Sequence, residues 1–431
     1  MINGGCSVIN SWNLNSGAKL VVEDIPYVKS AAVGVYIRVG SRNETSALAG
    51  ASHFIEHMLF KGTPLRSARD IAESMEEMGG QLNAYTGKEY TCVYTRALDE
   101  DIYSAMEVVF DMLLNSMMEP KDLDTERNVI IEEINMYEDT PDELIHDVFA
   151  RNFWDGHPMG NSILGSVESI TGMNRDELFQ YYKEYYVPAN IVVAIAGNVD
   201  AVKIKEFVES KLNFQGQNSH LIPIEQPLTV KPFITLVPKE VEQIQISMGV
   251  PGLTYHDENR YTQNVMNSIL GGGMSSRLFQ KLREELGLAY SVYSYPASYS
   301  DTGLFSIYIG TSAARVGQFC AAFNEQLQLF MEQGVSEEEI TRTQKLMKSS
   351  ISLGLESVMN RMTRLGKTIL MYDEVISPEE IIARVYAVNP DMVQEMARSI
   401  FKPELFSIAV IGNEEALPMI RDQFSKMWGG K

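Results

Sequence analysis

Apolar and polar positions along the chain switch repeatedly between a period of two and a period near 3.6. These are the marks of strands and of amphipathic helices. Residues 31–39 read as a strand, and a helical pattern over 51–60 follows, stopped by Lys61-Gly62-Thr63-Pro64. A second helix is predicted at 67–78, running into Gly79-Gly80. Strand-like runs follow at 81–86 and 90–97, and then a helix at 101–116. Further helices lead to the apolar strand Ile191-Val192-Val193-Ala194-Ile195-Ala196, then Gly197-Asn198 and an amphipathic helix.

The second half repeats this order. A strand is predicted at 244–250, helices at 261–270 and 276–286, strands at 290–294 and 303–310, and a helix at 314–332. The half closes on Phe406-Ser407-Ile408-Ala409-Val410-Ile411, Gly412-Asn413 and a last helix. The two Gly-Asn pairs lie 215 residues apart and the pairs Ala84-Tyr85 and Ala289-Tyr290 lie 205 apart, close to half of 431. A duplicated α+β domain accounts for both spacings. The segment 214–232, with Gly216, Pro223, Pro227 and Pro232 and little periodicity, reads as a linker between domains at 1–213 and 233–431.

Composition adds exclusions. The chain is 45% hydrophobic and 22% charged, an ordinary globular mixture. A formal net charge of −21 argues against nucleic-acid binding, which needs a basic footprint, and could steer cationic substrates. No apolar run reaches the roughly 18 residues of a membrane span, and the first residues carry no secretory pattern. Cys6, Cys92 and Cys320 are odd in number and far apart, so neither a disulfide framework nor a thiolate metal site is expected. A reducing cytoplasm is the expected compartment. The run Gly271-Gly272-Gly273 lacks a following Gly-Lys-Ser/Thr and is no phosphate loop.

The chemistry concentrates in His53-Phe54-Ile55-Glu56-His57. Positions i, i+3 and i+4 of a helix share one face, so two imidazoles and a carboxylate converge. This is the inverted H-x-x-E-H arrangement of a zinc site with a general base beside it. The corresponding helix of the second half reads Asn264-Val265-Met266-Asn267-Ser268 and carries no metal ligands.

A catalytic zinc takes a third protein ligand. The other histidines have no helical partner, which leaves carboxylates. In the helical stretch 126–137, an apolar stripe of Val129, Ile130, Ile134, Met136 and Tyr137 includes Glu126 and Glu133; Glu132 lies at its edge and Asn135 points away. An inward carboxylate must be paired or bound to metal. Helical phase makes Glu126 and Glu133 the candidates and leaves open which binds metal and which pairs with Arg or Lys.

With these motifs the chain resembles the pitrilysin/insulinase metallopeptidases, and within them the mitochondrial processing peptidase branch and its bacterial relatives. The likeness covers nearly the whole chain. It rests on the stretch from Gly50 to Thr63, on Gly79-Gly80-Gln81-Leu82-Asn83-Ala84-Tyr85-Thr86, on Glu126 with Glu133, and on Ser275-Ser276-Arg277-Leu278-Phe279 with Arg283 and Tyr290. The resemblance implies one zinc per chain held by His53, His57 and Glu133, with Glu126 supporting the site from behind and Glu56 as the base that activates water. It implies that Asn83 and Ala84 lie on an edge strand to which an extended peptide adds. Arg283 and Tyr290 would donate to the oxyanion at the scissile carbonyl.

The fold class expected is α+β: two homologous domains, each a mostly antiparallel sheet with helices packed on one face. The resemblance further implies an endopeptidase for unfolded peptides or leader-type segments, working in a chamber enclosed by a homodimer. Arg283 and Tyr290 would then reach the partner's zinc in trans. The competing expectation is a non-catalytic, peptide-holding or structural subunit of a heterodimeric processing peptidase.

Overall fold

Strands whose alternate residues are apolar on both faces dictate the architecture, because both faces must then be covered. The computed structural model describes residues 7–212 and 230–428. The expected linker lies, up to residue 229, outside the described residues. The first sheet contains β1 (Val8–Asn13), β2 (Lys19–Asp24), β3 (Ser30–Ile37), β4 (Gln81–Thr86), β5 (Thr91–Leu98) and β6 (Ile191–Gly197) in the order β1-β2-β6-β3-β5-β4. The second contains β7 (Ile234–Pro238), β8 (Ile244–Pro251), β9 (Ser291–Ser298), β10 (Gly303–Thr311) and β11 (Ser407–Gly412) in the order β7-β11-β8-β10-β9.

The two orders are the same pattern. In each sheet one pair is parallel, β2 with β6 and β7 with β11, and the remaining neighbours are antiparallel. The expected α+β duplication is therefore present, with β1 as an added edge strand. β1, β2 and β7 have no counterpart among the strands that the hydrophobic pattern predicts. Their short runs mix polar and apolar residues, and they are recognisable only beside the strands they join.

One face of the first sheet, with Leu20, Val22, Val33, Val35, Val193 and Ile195, packs on the helices of its own half, including Ala51–Leu59 and Ile102–Asn115. The opposite face, with Val21, Tyr36, Val192 and Ala194, is covered as well. Its cover is the helix Val358–Tyr372, through Val358, Met362, Leu365 and Ile369. Each of these four contributes at most about 1.5–3 kcal/mol of burial. Gly34 and Gly366 admit the close approach. A Cβ on Gly34 would lie 2.4 Å from Met362 Sδ, and one on Gly366 would lie 2.1 Å from the Tyr36 ring.

The second sheet mirrors this arrangement. Leu304, Tyr308, Ala409 and Ile411 pack against Ile145, Phe149 and Phe153 of the helix Pro141–Phe153. The first compact unit thus comprises the described residues of Met1–Asn135, Asn161–Pro223 and Ser352–Ile376, and the second those of Met136–Gly160, Ile224–Ile351 and Ser377–Lys431. Each repeat gives the other the helix that follows its long helix, Pro120–Glu138 or Glu337–Gly354. The contiguous boundaries expected at 213 and 233 miss this exchange, and helices on one face describe only part of each sheet's cover. An amphipathic pattern shows that a helix needs a partner, not which sheet supplies it. Among the described residues, no helix is long and apolar enough to cross a membrane.

Candidate metal centre

The helix Ala51–Leu59 carries the motif, and its start is built to hold it. Gly50 sits at φ +93°, where a Cβ would lie 2.7 Å from Leu164 O, so glycine is required. The buried Glu44 carboxylate accepts the N–H groups of Gly50 and Ser52, both at 2.7 Å, and so satisfies free donors of the helix N-terminus. Burial nevertheless pushes the Glu44 carboxyl up to about 7, against these bonds.

One helical turn brings the two imidazoles together, with ring centroids 4.6 Å apart and planes at 70°. The helix Pro120–Glu138 supplies the carboxylates. Its buried stripe is Leu123, Glu126, Ile130 and Ile134. Val129 and Met136, placed in the stripe by sequence, are 46% and 66% exposed. They lie about 100° or more around the helix from the stripe's centre. Glu133, expected inside the stripe, sits half-buried at the border of the buried arc, and Glu132, expected at its edge, is exposed.

Glu133 Oε2 lies 3.8 Å from His53 Nε2 and 3.7 Å from His57 Nε2. Those separations are too long for hydrogen bonds. They suit three ligands of one ion: tetrahedral partners about 2.0–2.2 Å from zinc stand about 3.4 Å from each other. These three residues form the group among the described residues able to hold a metal, with ligand atoms all within 4.8 Å. Burial, reinforced by the neighbouring His57, pushes the His53 imidazole down to about 3. The ring stays neutral and its lone pair available, as metal binding demands. His53 Nδ1 is buried with no hydrogen-bond partner among the described residues.

Glu126 stands behind the site. Its Oε2 lies 3.0 Å from His57 Nδ1 and its Oε1 lies 2.5 Å from Lys61 Nζ. Of the two roles left open by helical phase, Glu126 takes the ion pair with a lysine, and Glu133 stands with the two histidines in the group able to hold a metal. A carboxylate on Nδ1 fixes the tautomer that leaves Nε2 free to bind a cation.

Glu56 faces the strand β4. Thr86 Oγ1 donates to Glu56 Oε2 at 2.5 Å. Burial, joined by the charge of Glu133, raises the Glu56 carboxyl above the ordinary carboxylate range, while Thr86 and His57 oppose the shift. Asn83 and Ala84 lie on β4, which is the edge of its sheet. The Ala84 N–H is held by Asn83 Oδ1 at 2.8 Å. Lys61 and Thr86 were missed by sequence reasoning. The signals were there: Lys61 is one turn beyond His57, and Thr86 is the polar member of the alternating row Leu82, Ala84, Thr86.

Arg283 and Tyr290 belong to the second unit. The expected helix at 276–286 is wound wider over Phe279–Glu285, where Leu286 N–H reaches Lys281 O at i−5. The Arg283 guanidinium lies 4.8 Å from the Phe279 ring centroid and 5.8 Å from that of Tyr290. Tyr290 is 70% exposed, so it is no core tyrosine, and Arg283 is only 3.6 Å from Glu284. In the second repeat, Asn267 of the helix Arg260–Leu270 accepts a hydrogen bond from Ser294 and serves packing, not metal.

The family model described as Insulinase (Peptidase family M16) matches residues 19–167, and that described as Peptidase M16 inactive domain matches 172–347. The chain is 40% identical to an uncharacterized zinc protease of Streptomyces coelicolor, over 96% of this chain and 92% of the relative. The chain belongs to the insulinase family, peptidase family M16. Another relative, the uncharacterized zinc protease YmxG of Bacillus subtilis, is 40% identical over 95% of this chain and 100% of its own length. The fold is shared with a protease from Helicobacter pylori at TM-score 0.87 and 18% identity, covering 94% of this chain and 99% of that one. It is also shared with a peptidase M16 inactive domain from Pseudomonas fluorescens at TM-score 0.88 and 18% identity, covering 94% and 98%. Within this M16 chain the motif residues sit in the region matched by the first model, and Arg283 and Tyr290 in the region matched by the second.

Proposed function

We propose that this M16 chain is a zinc-dependent endopeptidase. The observation that carries the reading is the convergence of His53 Nε2, His57 Nε2 and Glu133 Oε2 within one ligand shell. Zinc, when bound, supplies Lewis acidity that polarises the scissile carbonyl and makes water a nucleophile near neutral pH. The residues do the rest. Glu126 orients the His57 ring, and Glu56 takes the water proton and returns it to the leaving amine. Asn83 and Ala84 receive an extended peptide along the open edge of β4 by main-chain pairing. Arg283 and Tyr290 donate to the oxyanion.

In this reading the assembly is a homodimer, with Arg283 and Tyr290 acting in trans on an enclosed site. The substrates are unfolded or leader-type peptides, cationic ones favoured by the net charge of −21. Free, buried Cys92 and Cys320 suit a reducing cytoplasm. The second reading, a non-catalytic peptide-holding subunit, draws on one fact: one of the two matching models is described as an inactive domain. That match covers the half without the ligand motif, so the peptidase reading is preferred.

The test is elemental analysis together with cleavage of a quenched peptide. About one zinc per chain, chelator-sensitive turnover and recovery on adding zinc are expected. Glu56→Gln should keep the metal and lose turnover by roughly 10²-fold or more. Chelator-insensitive cleavage, or a zinc-loaded chain without any, would exclude the proposal.

A further inference from the structure

Glu56 has three rotatable side-chain bonds, yet a base must present its carboxylate in one direction. Among the described residues, the side-chain donor found for that carboxylate is Thr86, at 2.5 Å from Oε2. We infer that Thr86 is a positioning residue that ties Glu56 to the edge strand β4, an inference that rests on the peptidase reading above. Three features support it.

Thr86 is β-branched and sits on a strand, so its own rotamer is restricted and its hydroxyl is a stiff anchor. The bond goes to a single oxygen, so Oε1 is left to accept the water proton. A hydrogen bond to an ionised acceptor is also among the stronger kinds available to a hydroxyl. Third, β4 pairs with β5 on one side and leaves its other edge open. A peptide laid along that edge takes its register from β4, and Thr86 gives Glu56 the same frame. Base and scissile bond are then referenced to one strand, although Glu56 belongs to a helix. Without the hydroxyl the carboxylate would wander over its rotamers, and misplacement of about 1 Å costs a reacting group as much as 10²-fold.

The kinetic test uses the full-length, zinc-loaded chain. Thr86→Val keeps the β-branch and removes the donor. Its kcat should fall by roughly 10- to 100-fold with KM within about threefold and zinc content unchanged. Thr86→Ser should recover kcat to within about threefold, because it restores the donor. Crystal structures of the metal-free wild type and Thr86→Val should show the Glu56 carboxylate displaced in the variant. Wild-type kcat in Thr86→Val overturns the inference, as does a Ser variant no better than Val, lost zinc, or an unmoved Glu56. If Val prevents folding, Thr86→Ala is judged by the same criteria. A wild-type chain that cleaves nothing overturns the peptidase reading, while the Glu56 position in the two metal-free crystals still decides whether Thr86 holds it.

Discussion

Glu126 touches His57 on the ring nitrogen that faces away from Glu133. Its Oε2 is 3.0 Å from Nδ1, and Lys61 lies 2.5 Å from its other oxygen. The lysine neutralises a buried carboxylate that would otherwise be costly, and the carboxylate sets the imidazole tautomer. Glu126→Gln should therefore weaken zinc affinity by roughly 10- to 100-fold, read by competition with a chromophoric chelator. An unchanged affinity would remove Glu126 from the metal's support.

The proposed sharing of Arg283 and Tyr290 between subunits makes a complementation prediction. Glu56→Gln and Arg283→Ala chains, each inactive alone, should regain part of the peptidase activity when mixed and allowed to exchange subunits. No recovery from a mixture shown by mass to contain hybrid dimers would place the donors and the zinc within one chain.

Gly366→Ala tests the exchanged helix. Alanine gains about 1 kcal/mol in helix propensity. Its Cβ would stand 2.1 Å from the ring of the fully buried Tyr36. Overpacking of that kind costs typically about 1–3 kcal/mol and should win. The urea midpoint should fall, and a midpoint at or above that of the wild type would contradict the packing described.

Arg277 grips Glu339 with two hydrogen bonds of 2.8 Å, and the Ser336 N–H donates to the same carboxylate. Burial opposes ionisation, but these contacts outweigh it and bring Glu339 down from 4.5 to about 2. A depressed carboxylate stabilises the fold above its unfolded value, and that contribution is lost as pH falls through the folded one. Glu339→Gln should be less stable than the wild type at pH 7, with the gap closing between about pH 4.5 and pH 2. Denaturation midpoints at both ends check this; a gap that persists at the acid end assigns the loss to packing instead. The carboxylate is part exposed, so solvent screening keeps the effect modest.

The second unit shows where sequence patterns stop short. The spacing from Arg283 to Tyr290 was legible, and so was a helix across 276–286. Its wider winding over Phe279–Glu285 was not, because Leu278, Leu282 and Leu286, spaced by four, fit either winding. In the helix Pro120–Glu138, phase selected Glu126 and Glu133 over Glu132. It also drew Val129 and Met136 into the core, where the structure leaves them exposed. Hydrophobicity marks what can be buried, and neighbouring elements decide what is.

By itself the sequence determined the local matters: the duplicated order of strands and helices, the His53–Glu56–His57 face and the short list of carboxylates that could complete it. Each follows from periodicities of 2 and 3.6, which a few neighbouring residues suffice to express. Only the tertiary structure decided that Val358–Tyr372 and Pro141–Phe153 change places between the two sheets, that Glu126 serves both Lys61 and His57, and that Thr86 reaches Glu56. Those relations join residues far apart in the chain. They depend on which apolar faces fit together, and a one-dimensional pattern holds no distances between such residues.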